Sequence, residues 1–503
     1  MSDGRQTLLA RMQAVALDCA ERVAVREGAR ETSYRDFGQI VGTYRAMLQA
    51  RETDGRTPVG LLLERSTEAY AAMWAAIGEG RAYVPLNTGY PDSRLRTIIE
   101  AAGTQDVITT PKLRDKAVAL GLEPARVLVL EDEGAADCLD QVWAPRADAG
   151  DVAYVLYTSG STGAPKGVPI SYDNLSAFIE NMQAAVPFPL GGICSQVCEL
   201  SFDVSVHEIF LALLSGSTLC PARQIDLFNP AGFIRKNAIS VWVSVPSLIR
   251  VLLANQAPDA PPLESVRLSI CNGEPFNRQI AESWQAVVPH AEVWNTYGPT
   301  ECTVAVTAQL WRDRPELSEI DVVSIGVPLP GCEVAVLADG EIIPLDPEGA
   351  ESTGELLLHS AQRFAGYSDP AIAKPFISDE SGAVYYKTGD RVLFKGGRIY
   401  HLGRLDHQVK IGGHRIELME VEFQLRRALG IEALAVVTYP RTDPKELVLF
   451  LEGQDDVPRL DAETLGLPGY MIPKRSISIE ALPTTPHGKL DRLALQSQLE
   501  APE

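Results

Sequence analysis

Residues 152–157 are short, apolar and strand-like, and they break directly into Thr158-Ser-Gly-Ser-Thr-Gly-Ala-Pro-Lys-Gly167 before a helix-like stretch that begins near Asp173. A strand, a glycine-rich loop and a helix in that order point to layered α/β architecture more firmly than any other feature of the chain. The three glycines can adopt positive φ and let the backbone approach a ligand closely. The hydroxyls of Thr158, Ser159, Ser161 and Thr162, with the N–H groups around Gly160 and Gly163, can cradle phosphate oxygens, and Lys166 adds a positive charge. The common P-loop requires Gly directly before Lys and Ser or Thr directly after it; here Pro165 precedes Lys166 and Gly167 follows. The loop therefore proposes a nucleotide triphosphate by a different route. An ordinary Gly/Ser-rich turn would have the same composition.

At 503 residues the chain is too long for one ordinary core, so two or more domains are expected. Apolar residues make up 46% and charged residues 22%, which is usual for a soluble enzyme. A net charge of −21 argues against a general nucleic-acid surface. The opening MSDGRQTLLARMQ carries no secretory pattern, and the apolar stretches are too short or interrupted to span a bilayer. The expectation is a cytoplasmic protein with no membrane partner, and a monomer. Of the eight cysteines, Cys194 and Cys198 form the close pair, without a matching Cys/His pair at zinc-ligand spacing. Buried reduced thiols are the better reading.

Along the first 150 residues, helix-like and strand-like segments alternate, as at 59–63, 67–77 and 82–85, which suggests parallel α/β layers. The middle repeats the theme, with strands at 240–245 and 266–271 around a helix at 247–254. From about 326 to 400 the texture changes to short β-like runs, 332–337 and 354–359 among them, separated by Gly, Pro and Asp. After Leu402 come a charged segment, a helix at 417–428 and strands at 433–439 and 447–452. The fold class expected is α/β, with a large N-terminal domain of α/β layers over 1–403, a small β-rich subdomain at about 326–400, and a small mobile α+β C-terminal domain over 404–503.

Four further runs carry chemistry. In Asn295-Thr-Tyr-Gly-Pro-Thr-Glu301, Tyr297 offers an aromatic face to a base, while Thr300 and Glu301 place a hydroxyl and a carboxylate together for phosphate and Mg²⁺. A plain strand-to-turn junction would read the same way. In Tyr386-Lys-Thr-Gly-Asp390 a carboxylate on a tight turn suits two vicinal ribose hydroxyls, or is an Asx-type turn. Gly403-Arg-Leu-Asp-His-Gln-Val-Lys-Ile411 continues to Arg415-Ile-Glu417, and Pro483-Thr-Thr-Pro-His-Gly-Lys-Leu-Asp-Arg492 carries Lys489 beside a glycine. An exposed lysine is usually solvated surface when taken alone.

Together with the first loop, these runs resemble, in order and spacing, the adenylate-forming superfamily of acyl-CoA synthetases, luciferases and amino-acid adenylation domains, from Tyr34 to Arg492. Within it, the chain is similar to stand-alone amino-acid activators of the D-alanine–carrier-protein ligase group. Phe202-Asp-Val-Ser-Val-His-Glu-Ile-Phe210 resembles the segment that opens their substrate pocket, with Asp203 matching the aspartate that meets the substrate ammonium. A partly buried carboxylate needs such a cation, although an N-cap of the following helix is the plain alternative. The resemblance puts Val204, His207, Ser244, Ile270, Asn272, Gly273, Thr296, Val304 and Ala305 around the substrate. Asn272-Gly-Glu stands where the D-alanine ligases have Cys-Gly-Glu, which puts an amide in the wall and favours a polar or differently placed substrate. A small amino acid such as alanine, serine or glycine is expected, and a pocket-shaping role for His207 is favoured over a general base.

The resemblance further implies a mechanism. Lys489 bridges the substrate carboxylate and the α-phosphate, and residues 157–167 hold the outer phosphates of ATP. Mg²⁺ sits on Glu301 beside Thr300, Asp390 grips the ribose, Tyr297 stacks on adenine, and Arg404 assists. Rotation about a hinge at Asp406 then brings the Gly412-Gly413 loop to the site for transfer to a phosphopantetheine thiol. The sequence ends at Glu503, shortly after Lys489, so that thiol is expected on a separate carrier protein. The alternatives are an acyl-CoA synthetase, which has no use for Asp203, and a non-catalytic nucleotide or amino-acid sensor, which has no use for Lys489.

Overall fold

The computed structural model describes residues 8–51, 56–129, 151–160, 164–257, 259–313, 322–345, 349–406, 408–441, 444–454, 460–484 and 490–500. The chain divides into two compact units: Met1–Thr88 with Ile99–Leu156 and Gly167–Leu405, and Gly89–Ile98 with Tyr157–Lys166 and Asp406–Glu503.

In the first unit, a nine-stranded sheet runs in the order Val327–Pro328, Thr307–Leu310, Glu292–Tyr297, Leu268–Cys271, Val241–Ser244, Ile193–Gln196, Thr218–Pro221, Val23–Glu27 and Arg30–Ser33. The six strands from Glu292–Tyr297 to Val23–Glu27 are parallel, and antiparallel strands close both ends. Strands covered on both faces read as continuous apolar runs, which is why Val-Trp-Val-Ser and Leu-Ser-Ile-Cys are buried throughout. The pleat sorts their side chains. Val243 and Ile270 pack in one core with Val204, Ile209 and Phe210, while Trp242, Cys271 and Trp284 form a second core on the other face. The helix Val204–Leu214 joins two adjacent parallel strands, so its first turn lies toward the carboxyl edge of the sheet. Open α/β sheets bind ligands outside that edge.

A six-stranded sheet runs Val127–Val129, Asp106–Thr109, Val59–Leu62, Tyr83–Pro85, Val152–Thr158 and Lys166–Ser171. Its helices begin at side-chain caps: Ser66 accepts from Ala69 N–H ahead of the buried Thr67–Gly78, and Ser171 with Asn174 forms a capping box before Tyr172–Ala185. Asp106, fully buried, pairs with Arg81 at 2.8 Å and Arg126 at 3.2 Å, and so ties a strand end to its neighbours.

An antiparallel β-rich layer follows, built on Cys332–Ala338, Ser352–Ser360, Val384–Lys395 and Arg398–Arg404. Here one expectation is corrected. Asp390 sits inside the strand Val384–Lys395 and not on a tight turn. Gly389 takes φ +71°, and between Glu355↔Arg391 and Leu357↔Lys387 the ladder shifts register by two residues, which are absorbed as a bulge beside the aspartate.

The second unit is α+β. The hairpin Gln408–Ile411/His414–Glu417 turns through Gly412 and Gly413, both at positive φ (+59° and +80°), as a two-residue primed turn demands. Helix Leu418–Leu429 ends at Gly430 in the left-handed region and packs through Val421 and Leu425 on strands Leu434–Tyr439 and Glu446–Glu452. The expected fold class, α/β layers with a β-rich portion and a small α+β part, is the observed one. Most sequence-read elements match within a residue or two. The Leu418–Leu429 helix, for example, was expected at 417–428.

Candidate active site

Asp203 directly precedes the helix Val204–Leu214, and the plain N-cap reading does not hold. Its backbone is already helical (φ −66°, ψ −25°) and its side chain makes no cap hydrogen bond. It stays half-buried. Every residue of that helix is buried, so a polar group on it is conspicuous. His207 is one, with its ring edge-on to Phe178 at 5.7 Å. Neither ring nitrogen has a hydrogen-bond partner among the described residues. Burial lowers its pKa to about 3. Besides Ser205, whose hydroxyl donates to the Phe202 carbonyl at 2.6 Å, Glu208 is another, and burial raises its pKa to about 8. Its carboxylate accepts from Val197 N–H (2.8 Å), Cys198 N–H (3.1 Å) and the Gln196 amide (2.8 Å), which pins the segment leading to Asp203. Sequence reasoning missed that anchor.

The depressed His207 pKa sets a stability window. The unfolded state protonates near 6.5 and the folded one near 3, so this contribution is complete above 6.5 and is lost as pH falls toward 3. Between pH 6.5 and 5, His207→Leu is expected to lose about 1.5 kcal/mol less unfolding free energy than the parent protein, by urea denaturation at the two pH values. Equal losses would show that the ring is not held neutral.

The carboxyl edge of the nine-stranded sheet gathers the other expected substrate contacts. Ile270 is fully buried, and Ser244 is 2% exposed with its hydroxyl unpartnered among the described residues. Asn272 Nδ2 donates to Thr296 Oγ1 at 3.0 Å, and Thr296 donates to the Cys271 carbonyl at 3.1 Å. Gly273 takes φ +88°. After Tyr297 the chain reverses sharply. A Cβ on Gly298 would meet Ala305 Cα and Val304 O at 2.8 Å, so only glycine fits. Thr300–Cys302 form one 3₁₀ turn, then Thr303 and Val304 adopt φ +55° and +69°. Two β-branched residues in the left-handed region are strained, and such strain persists where surrounding bonds over-determine it. Gln362 does so here. Its side-chain amide donates to the carbonyls of Cys302 (3.2 Å), Thr303 (3.3 Å) and Ala305 (2.7 Å), and its main-chain carbonyl accepts from Thr303 Oγ1 (2.7 Å). Glu301 is fully buried and accepts from Tyr367 Oη at 3.0 Å. No local sequence signal marks Gln362 or Tyr367, since both act from the β-rich layer.

That layer also brings Tyr297, Asp390 and Arg404 together. Tyr297 Oη donates to Asp390 Oδ2, and burial followed by the Asp390 charge drives the phenol pKa well up. Arg404 Nη1 reaches Asp390 Oδ1 at 3.1 Å and the Thr388 carbonyl at 2.8 Å. His401, which sequence reasoning missed, meets Asp390 Oδ1 at 3.1 Å.

In the second unit, Ser159 Oγ donates to the Arg415 carbonyl at 2.8 Å and Gly160 N–H to Glu420 Oε2 at 3.0 Å, while Glu420 pairs with Arg94 at 2.8 Å. A Cβ on Gly160 would collide with the Ala164 carbonyl. Thr158 Oγ1 is buried without a partner among the described residues, as a hydroxyl waiting for a ligand oxygen would be. That orphan and the tight, glycine-only turn at Gly160 fit a phosphate group. Lys166 opens the strand Lys166–Ser171, and Asp406 accepts from Gln408 N–H at 3.2 Å. Ser161, Thr162, Gly163 and Lys489 lie outside the described residues. Among the described residues no cluster of three acidic, His or Cys side chains suits a metal ion, and no helix is long and apolar enough to cross a membrane.

Residues 12–368 match the family of AMP-binding enzymes. The chain is 31% identical over 513 residues to tyrocidine synthase 2 of Brevibacillus parabrevis, a match that takes in 97% of this chain and 13% of that protein. It spans about a fifth or less of the large synthetases it resembles. It is 28% identical to D-alanine–D-alanyl carrier protein ligase of Bacillus licheniformis, across 90% of this chain and 92% of that one. The Vibrio cholerae adenylation domain AlmE, solved with glycyl-adenosine-5'-phosphate, superposes with a TM-score of 0.87 at 27% identity over 99% of both chains. With its motif runs in order and a family match over most of its length, the chain belongs to the AMP-binding enzymes of the adenylate-forming superfamily.

Proposed function

We propose that the protein is an amino acid–carrier protein ligase that forms AMP: it activates a small amino acid of alanine's size with ATP and transfers it to the phosphopantetheine thiol of a separate carrier protein. The observation that carries this reading is Asp203, a half-buried carboxylate released from helix capping at the carboxyl edge of the sheet, where a substrate ammonium would meet it. The likeness to an adenylation domain solved with glycyl-AMP, and to a carrier-protein ligase along nearly its full length, supports it.

In the first step a carboxylate oxygen of the amino acid attacks the α-phosphorus of ATP. The new P–O bond forms as the bond to the bridging oxygen breaks and pyrophosphate leaves. No protein nucleophile is required, so the side chains act by positioning and by neutralising charge. Lys489 joins the carboxylate and α-phosphate, Thr158–Lys166 receives the outer phosphates, Asp390 and Arg404 address the ribose, and Tyr297 the base. Mg²⁺ would be held by Glu301, whose single buried carboxylate suits an ion that takes its remaining ligands from phosphates and water; the ion would draw charge from the phosphates. In the second step the thiol sulfur attacks the acyl carbonyl, AMP departs, and the thiol proton is released to solvent. Residues 1–403 form the adenylation core and 404–503 the part carrying Lys489, with Asp406 as hinge. Use of ATP and the free cysteines among the described residues agree with a cytoplasmic setting.

Amino-acid-dependent ATP–pyrophosphate exchange tests the reading. Exchange with small amino acids and none with their deaminated acids is expected. An acyl-CoA synthetase would respond to acids without amines, and a sensor would give no exchange.

A further inference from the structure

We infer that the side-chain end of this site selects a hydroxyl-bearing substrate, a serine-like α-amino acid, in preference to alanine or glycine; the inference rests on the amino-acid activation proposed above. Asp203 and His207 stand four residues apart at the head of one helix, hence on one face and about one 5.4 Å turn from each other. A substrate whose ammonium met Asp203 would therefore have its β-substituent on the helix face that carries the imidazole.

The ring is wholly buried, and both nitrogens are unpartnered among the described residues. Each unmet buried polar atom costs about 1–3 kcal/mol, so such a residue is expensive unless a ligand satisfies it. The pocket wall repeats the pattern. Asn272 lies two residues beyond Ile270 on the strand face that meets this helix, and its amide nitrogen is spent on Thr296 while no hydrogen bond among the described residues reaches its Oδ1. Of the remaining expected lining, Val204, Ile270, Val304 and Ala305 are apolar and buried, while Ser244 is buried with a hydroxyl that has no partner among the described residues.

The ring is held neutral by burial, so it offers one donor and one acceptor. A hydroxyl can fill either role at the nitrogen that faces it, donating to the bare nitrogen or accepting from the N–H. A methyl group satisfies neither, and a side-chain carboxylate would only accept and would oppose the charge of Asp203. A site that hydrogen-bonds its substrate rejects the analogue lacking that group far more strongly than an apolar pocket rejects a missing methylene.

The experiment is pyrophosphate exchange with serine, alanine, glycine and a panel of larger amino acids, each as both enantiomers, on the parent protein, His207→Leu and His207→Gln. In the parent, kcat/KM for serine is expected to exceed that for alanine by at least about 30-fold. His207→Leu should bring the serine-to-alanine ratio close to one, and His207→Gln, which keeps a donor and an acceptor, should retain a serine preference. The ratio is the readout because a folding defect scales both substrates alike. Alanine, glycine or a larger residue matching or exceeding serine would overturn the inference and leave amino-acid activation standing, with a buried water as the partner of His207. An unchanged ratio in His207→Leu would equally overturn it. Absence of exchange with every amino acid would remove both readings together.

Discussion

Replacing Lys489 with alanine is expected to lower amino-acid-dependent pyrophosphate exchange by about 10²–10³-fold, the usual effect of deleting one preorganised group that stabilises developing charge. The reaction has no covalent enzyme intermediate, so nothing else compensates for a lost cation between two anions, the attacking carboxylate and the α-phosphate. ATP affinity should change far less, because the outer phosphates and the nucleoside have their own contacts. Titrating ATP by calorimetry while measuring exchange separates the two effects. Near-normal exchange in the variant would assign the bridging role to another residue.

Asp203→Ala is expected to act on the other substrate. Truncating one partner of a buried charge pair costs about 2–5 kcal/mol, so kcat/KM for the amino acid should fall by roughly 30- to 4,000-fold with KM for ATP little altered. The same change should collapse discrimination against the deaminated acid, since the ammonium then has no counter-charge and becomes a burden. Asp203 makes no cap hydrogen bond to its helix, so the thermal midpoint should shift by only a few degrees. A variant that still preferred the amine over the acid would show that another carboxylate receives it.

The ordered motif runs made the fold class and the family legible because each is local. A strand, a glycine loop and a helix start lie within about twenty residues, and periodicity reads them well. The strand Val241–Ser244 and the helix Pro246–Asn255 were therefore recoverable to within two residues or so. Thr388-Gly-Asp390 is turn chemistry in isolation, whereas the place of Asp390 in a twelve-residue strand depends on its pairing with Arg404 in the strand Arg398–Arg404, and that of its neighbour Arg391 on pairing with Glu355 in Ser352–Ser360. Gln362 and His401 were invisible for the same reason: their partners, the 302–305 carbonyls and Asp390, are contacts made across elements.

By itself, then, the sequence determined the α/β layering, the family and the identity of the charged groups, because these follow from short-range pattern and residue chemistry. Tertiary structure alone decided which polar groups are left wanting. His207 is expected from the sequence as a pocket-shaping ring; the packing of Phe178 and of the apolar core around it leaves both of its nitrogens without a partner among the described residues. Burial is a property of what surrounds a residue, and that is assembled from segments far apart in the chain.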